Sequence, residues 1–191
     1  MTVKLQYILG DATDPQSAEV KALCQGVRLE VFVGEQAVPL EEEIDLLDDA
    51  PTTIHILASD VEGTPLGTVR VLREEGHPGE THLGRLAVVA AARGTGLGAA
   101  LVTEVEGLSL VGAGVPELDD DGVPTGNSVV NVMLSAQEQA MGFYAKCGYQ
   151  VVSGESYLDA GIPHQDMVKR VVGTVPEELA QMVAGPPPET A

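Results

Sequence analysis

Glycines at positions 94, 96 and 98 stand in the segment GRLAVVAAARGTGLGAAL, residues 84–101, between one apolar run and the start of another. Few folds tolerate that order. The run THLGRLAVV suits a buried strand, and from Leu97 the residues Leu101, Val102, Val105 and Leu108 recur at helical spacing. A strand must therefore turn sharply into a helix here. Such a turn aims unpaired N–H groups and the positive end of a helix dipole at one point, and glycines let phosphates approach the backbone. Arg93, Gly94, Thr95, Gly96, Leu97 and Gly98 are the groups on offer, so the turn reads as a ligand seat rather than a packing device.

The spacing alone leaves the ligand open. Gly94 to Ala99 also satisfies the loose dinucleotide fingerprint G-x-G-x-x-G/A. That site needs a second strand ending in an acid, whereas Asp119, Asp120 and Asp121 lie in a Gly/Pro-rich stretch with no strand before them. Position thus disfavours nicotinamide-dependent redox chemistry. The nucleotide-triphosphate pattern G-x-x-x-x-G-K-[ST] has no match.

Composition narrows the partners. The 191 residues suffice for one domain, and with only 3% aromatics the interior must be built from Val, Leu, Ile and Ala. A net charge of −19 repels nucleic acid and anionic membranes, so any phosphate must be held locally. Cys24 falls on the apolar face of a helix, and Cys147 stands far from it, in no disulfide or metal spacing. His55, His77 and His82 share no ligand spacing either, so no metal site is expected. MTVKLQYIL lacks a signal-peptide layout, and no apolar run nears the roughly 18 residues of a membrane span. A cytoplasmic protein is expected.

The element order reads β-α-(α)-β-β-β-α-β-α-β-β. Asp14 should cap a first helix opening at Pro15 and ending near Gly34. TTIHILAS and PLGTVRVLRE form a hairpin, in which Arg70 and Arg73 read as exposed. Residues 112–126 read as a long polar loop. The expectation is a mixed α/β domain over 1–173, followed by a Pro-rich tail over 174–191.

Two motifs carry a family resemblance. Arg93-x-x-Gly96-x-Gly98 resembles motif A, [QR]-x-x-G-x-[GA], of the GNAT superfamily of acyl-CoA-dependent N-acyltransferases. AQEQAMGFYAKCGY resembles the family's later N-x-x-A-x-x-F-Y-x-K-x-G-F at Ala140, Phe143, Tyr144, Lys146 and Gly148, with Gln137 for Asn and Tyr149 for Phe. RLEVFVGEQAVPLEEEIDLLDD and GIPHQDM resemble signatures of one bacterial branch.

The resemblance implies a mostly antiparallel, twisted sheet of six to seven strands flanked by helices, with the fourth and fifth strands splayed. It implies acetyl-CoA as co-substrate and the primary amine of a small molecule as acceptor, attacked directly in a ternary complex. Dimers are common in this family, so a homodimer is an open expectation. A bulge near Leu86, Ala87 and Val88 should put the Val88 amide against the thioester carbonyl. The diphosphate should rest on Arg93, Gly94, Thr95, Gly96, Leu97, Gly98 and Ala99, with Gln137 and Lys146 also on the coenzyme side. Tyr144 occupies the position of the proton donor to sulfur. Glu35, beyond the first helix, is the first choice for the base that deprotonates the amine. His164 is another, because imidazole exchanges protons near neutrality. Glu35, Gln36, Glu42 and Asp45 are expected at the acceptor, although Glu42, Asp45 and Asp48 also read as solvated loop charges. The competing reading is an acyl-CoA-binding module without turnover.

Overall fold

The computed structural model describes residues 2–73 and 76–175. Only Thr174 and Val175 of the expected tail fall among them; its other residues lie outside the described residues. Strand β1 (Lys4–Leu9) leads to α1 (Pro15–Arg28), where Asp14 accepts from the Ser17 amide at 3.0 Å and Pro15 sits in the first turn. The helix then widens into a π-helical turn, Leu29–Glu35, instead of stopping. The acidic connection folds as α2 (Leu40–Glu43) and a 3-10 turn, Leu46–Asp49. Then come β2 (Thr53–Ser59), β3 (Pro65–Arg73) and β4 (Glu80–Val88). The glycine turn opens α3 (Leu97–Ala113), followed by β5 (Val115–Leu118) and β6 (Pro124–Gln137). Helix α4 (Met141–Lys146) and strands β7 (Gln150–Val151), β8 (Tyr157–Asp159) and β9 (Ile162–Gly173) complete the domain.

The strands form one sheet in the order β1-β2-β3-β4-β6-β9-β7, with β5 on β6 and β8 on β9. It holds nine strands among the described residues, against the six to seven expected. One addition is β5, which turns the expected loop into a hairpin. Asp119 accepts from the amides of Asp121 and Val123, bending the chain so that Val115 pairs with Val129. The other is the short β8.

Helix α3 covers one face of the sheet, burying Leu97, Leu101, Val102 and Val105 with Val69, Val71, Val130 and Val132. Each such side chain contributes roughly 1.5–3 kcal/mol when buried. Helix α1 covers the other face through Val20 and Cys24 against Leu57, so Cys24 is core. No helix among the described residues is long and apolar enough to cross a membrane.

Two irregularities open the sheet. β4 and β6 run parallel and pair only from Glu80–Asn131 to His82–Met133 before they separate. Beyond that point β4 bulges. Gly84 faces Arg70 and Ala87 faces Thr68, so Arg85 and Leu86 together oppose Val69. Arg85 takes φ +54 there, a left-handed conformation uncommon outside glycine.

Candidate active site

The gap between β4 and β6 holds two adjoining cavities. The larger, about 620 Å³, lies beside the glycine turn and is walled by Leu86, Ala87 and Val88, by Gly94, Gly96, Gly98 and Ala99, and by Phe143 and Tyr144. The smaller, about 250 Å³, lies among Phe32, Glu42, Arg85, Ser135, Asp159 and His164, of which Glu42, Ser135 and Asp159 are exposed. Gln36, Leu86, Ala140 and Tyr144 line both. The apolar side chains of Leu86 and Ala140, with Tyr144, thus form a shared wall.

The larger cavity fits a diphosphate followed by an apolar arm. Gly96 precedes α3 at φ +89, and no side chain caps the helix. The first N–H groups of α3 therefore lack intrahelical partners and open towards the cavity. A Cβ on Gly94 or Gly96 would meet nothing within 4 Å, which leaves room for a ligand. Gly98 has a packing role, since a Cβ there would come within 3.3 Å of the Phe143 ring. Lys146 and Arg93 bring positive charge to the wall. Thr95 turns its hydroxyl back to the Ala92 carbonyl and Leu97 is buried in the core, and neither is among the residues that wall the cavity.

The ladder alternation fixes the Val88 amide. The Val89 amide donates to Leu66, which makes Leu66 and Val89 a hydrogen-bonded pair and Gly67 and Val88 a non-bonded one. The Val88 N–H consequently points away from β3, into the gap. The Val88 carbonyl on the same side accepts from Arg93 Nε at 2.9 Å.

Tyr144 is only 9% exposed, and no protein acceptor for its hydroxyl occurs among the described residues. Burial, with a smaller contribution from Cys147, pushes its pKa well above the usual phenol value, so the hydroxyl keeps its proton. His164 is 8% exposed, and its Nδ1 lies 2.8 Å from the Ile162 carbonyl. A carbonyl only accepts, so Nδ1 carries the proton, and in the neutral ring Nε2 presents a lone pair.

The structure separates the other expected site residues. Glu35 lines the larger cavity and is ion-paired with Arg93 at 2.6 Å. Gln137 lines the smaller cavity, not the larger, and donates to Gln36 at 2.7 Å. Glu42 lines the smaller cavity and gives its backbone carbonyl to Arg85. Asp45 turns both carboxylate oxygens onto arginines, Arg70 at 2.7 and 3.0 Å and Arg85 at 3.1 Å.

Two expectations are corrected here. Arg70 is 4% exposed rather than a surface residue, and Asp48, 1% exposed, is no solvated loop charge. Asp48 accepts from Arg28 at 2.8 Å and from Arg70 at 2.7 Å, while Arg28 also binds Glu43 at 2.5 Å. Burial alone would raise the Asp48 carboxyl, but the two guanidiniums outweigh it and hold the pKa below the usual carboxylate range. Arg28, Arg70 and Arg85 alternate with Glu43, Asp45 and Asp48 in one network that fastens the acidic connection to the bulge. All three acids and Arg28 belong to the RLEVFVGEQAVPLEEEIDLLDD signature. Their regular placement in it is the available signal, but nothing local names Arg70 and Arg85 as the partners.

A family model described as an acetyltransferase (GNAT) domain matches residues 51–151. An uncharacterized N-acetyltransferase of Bacillus subtilis (strain 168), YjcF, is 38% identical over 143 residues, 75% of this chain and 87% of that protein. The crystal structure of an acyl-CoA N-acyltransferase from Pseudomonas aeruginosa superposes with TM-score 0.67 at 29% identity, over 88% of this chain and 99% of that one. The fold is shared with an aminoglycoside 6'-N-acetyltransferase solved with coenzyme A, at TM-score 0.58, 16% identity and 89% and 97% coverage.

Proposed function

Because the chain belongs to the GNAT family and is an acyl-CoA-dependent acetyltransferase, we propose that it moves acetyl from acetyl-CoA to the primary amine of a small molecule, by direct attack within a ternary complex. The observation that carries this reading is the meeting of the two cavities at Tyr144 and Leu86, beside the outward-facing Val88 amide. One cavity suits a diphosphate and an apolar arm. The other suits a small polar molecule.

Acetyl-CoA, as substrate, supplies an activated thioester. The α3 N-terminus, Arg93 and Lys146 hold its diphosphate, and Leu86, Ala87 and Phe143 flank its arm. The Val88 N–H donates to the acetyl carbonyl oxygen as charge develops, worth roughly 3 kcal/mol for a well-placed donor. The acceptor arrives as an ammonium with a pKa of about 10 and must lose a proton before its lone pair can attack. His164 Nε2 takes that proton. As the N–C bond forms and the C–S bond breaks, the Tyr144 hydroxyl donates towards sulfur. Over the cycle the ammonium yields two protons, sulfur takes up one, and one is released. Glu35, neutralised by Arg93, supports the coenzyme seat, while Gln36 and Glu42 face the acceptor.

Thiol release from acetyl-CoA in the presence of a panel of small amines, with the products weighed by mass spectrometry, tests the reading. An N-acetylated amine formed in step with free thiol is expected. Coenzyme binding without thiol release on any amine would overturn it in favour of a binding module.

A further inference from the structure

The β6–β9–β8 ladder decides which way protons point in the smaller cavity. Ser135 faces Asp166 and Gln137 faces His164 across β6 and β9, while Tyr157 faces His164 across β8 and β9. The Tyr157 ring stacks on the His164 ring at 6.2 Å. The Tyr157 hydroxyl donates to Asp166 Oδ1 at 2.6 Å. A phenol has one proton, so in the 2.5 Å contact between Tyr157 and Ser135 the serine must be the donor. Its own proton committed, Ser135 can only accept from anything in the cavity it lines.

The neighbouring groups obey the same polarity. His164 Nε2 presents a lone pair, because Nδ1 is bound to the Ile162 carbonyl. Gln137 donates to Gln36 and accepts from Gln139, which engages both ends of its amide. Arg85, the guanidinium in the wall, is directed at the Glu42 and Glu43 carbonyls and at Asp45. Glu42 and Asp159 add carboxylates to the lining. The wall therefore offers mainly lone pairs and negative charge; of its donors, the Tyr144 hydroxyl and Gln36 Nε2 have no acceptor among the described residues.

We infer that Ser135, oriented by Tyr157 and Asp166, is a recognition residue for the acceptor, and that the acceptor is a small alkylammonium bearing no carboxylate. This inference rests on the amine-transfer reading above. An ammonium brings three donors and no acceptor, which matches the wall. A carboxylate brings acceptors alone and meets like charge. Ser135 touches the substrate; Tyr157 and Asp166 are positioning residues acting through it.

Pentylamine and 5-aminopentanoate share amine and chain and differ in the carboxylate. The full chain should acetylate pentylamine with kcat/KM at least tenfold higher. Ser135→Ala should raise the KM for pentylamine about tenfold, as for loss of one charge-assisted hydrogen bond, with kcat and the acetyl-CoA KM within about twofold of the parent. Ser135→Thr should restore it. Tyr157→Phe keeps the ring on His164 but frees the Ser135 proton, so KM should rise in the same direction and the preference against 5-aminopentanoate should narrow. Equal kcat/KM for the two amines, or an unchanged KM in Ser135→Ala, would overturn the inference. Calorimetry with each amine on the CoA-bound protein separates the two readings. Binding of pentylamine that weakens in Ser135→Ala, with no acetylation, would remove the transfer reading and retain this one. Absence of both binding and acetylation would remove both.

Discussion

Arg93 reaches from the glycine turn to Glu35, with Nη2 2.6 Å from Oε2, and on the way its Nε holds the Val88 carbonyl at 2.9 Å. One guanidinium thus joins the turn, the end of the π-helical turn and the last residue of β4. The contact aligns the Val88 peptide, and it holds Glu35 at the larger cavity.

Glu35→Gln should therefore raise the acetyl-CoA KM several-fold and leave kcat nearly unchanged. His164→Gln should lower kcat roughly a hundredfold or more, the usual range for a lost general base, with the acetyl-CoA KM held. Steady-state kinetics on the two variants decides the assignment. The opposite pattern would move the base to Glu35.

Tyr144 keeps its proton because it is buried. Replacing it with Phe preserves the ring contacts with Phe143 and Tyr149 and removes only the hydroxyl. Turnover should drop roughly a hundredfold, while the calorimetric Kd for acetyl-CoA stays within about twofold. Parental turnover in this variant would end its role as donor to sulfur.

Gly96 separates strain from charge. Gly96→Ala adds a Cβ that meets nothing within 4 Å but sits at φ +89, a conformation costing roughly 1–2 kcal/mol outside glycine. A modest fall in melting temperature with retained CoA binding is expected. Gly96→Glu adds a carboxylate at the diphosphate seat and should abolish the calorimetric signal for CoA. Near-parental affinity in Gly96→Glu would displace the seat.

Asp48 accepts from two buried arginines, so Asp48→Asn leaves charge uncompensated and should destabilise the fold by roughly 3–5 kcal/mol in urea titrations. The pH dependence has a definite sign. The native carboxyl titrates below its unfolded value of about 3.9. Its contribution is therefore complete above about pH 4 and disappears as pH falls through the native pKa. The parent should lose stability in that acid window more steeply than Asp48→Asn.

Features governed by a few consecutive residues are legible in the chain itself. Asp14-Pro15 announces the start of α1, and the three glycines announce the strand-to-helix turn. The placement of Tyr144 one residue after Phe143 in a GFYAKCG segment identifies a site residue that the fold brings to both cavities. The 112–126 stretch reads as a loop because its strand is four residues long and acquires its partner only when Asp119 folds the hairpin. Arg70 reads as exposed for a similar reason. An alternating strand pattern does not show which face will carry buried acids contributed from 25 and 22 residues away.

By itself the sequence determined the order of elements, the turn at Gly94 to Gly98 and the residue types able to handle an anion and a proton. Capping, turn geometry and apolar periodicity act over a handful of neighbours, and each residue string carries them wherever it occurs. The tertiary structure decided the rest: the positive φ of Arg85, the pairing of its network with the acidic connection, and the direction of every proton from Asp166 through Tyr157 to Ser135. Those depend on which distant side chain arrives within hydrogen-bond distance. Only the closed sheet, with β4 and β6 pulled apart, sets such distances.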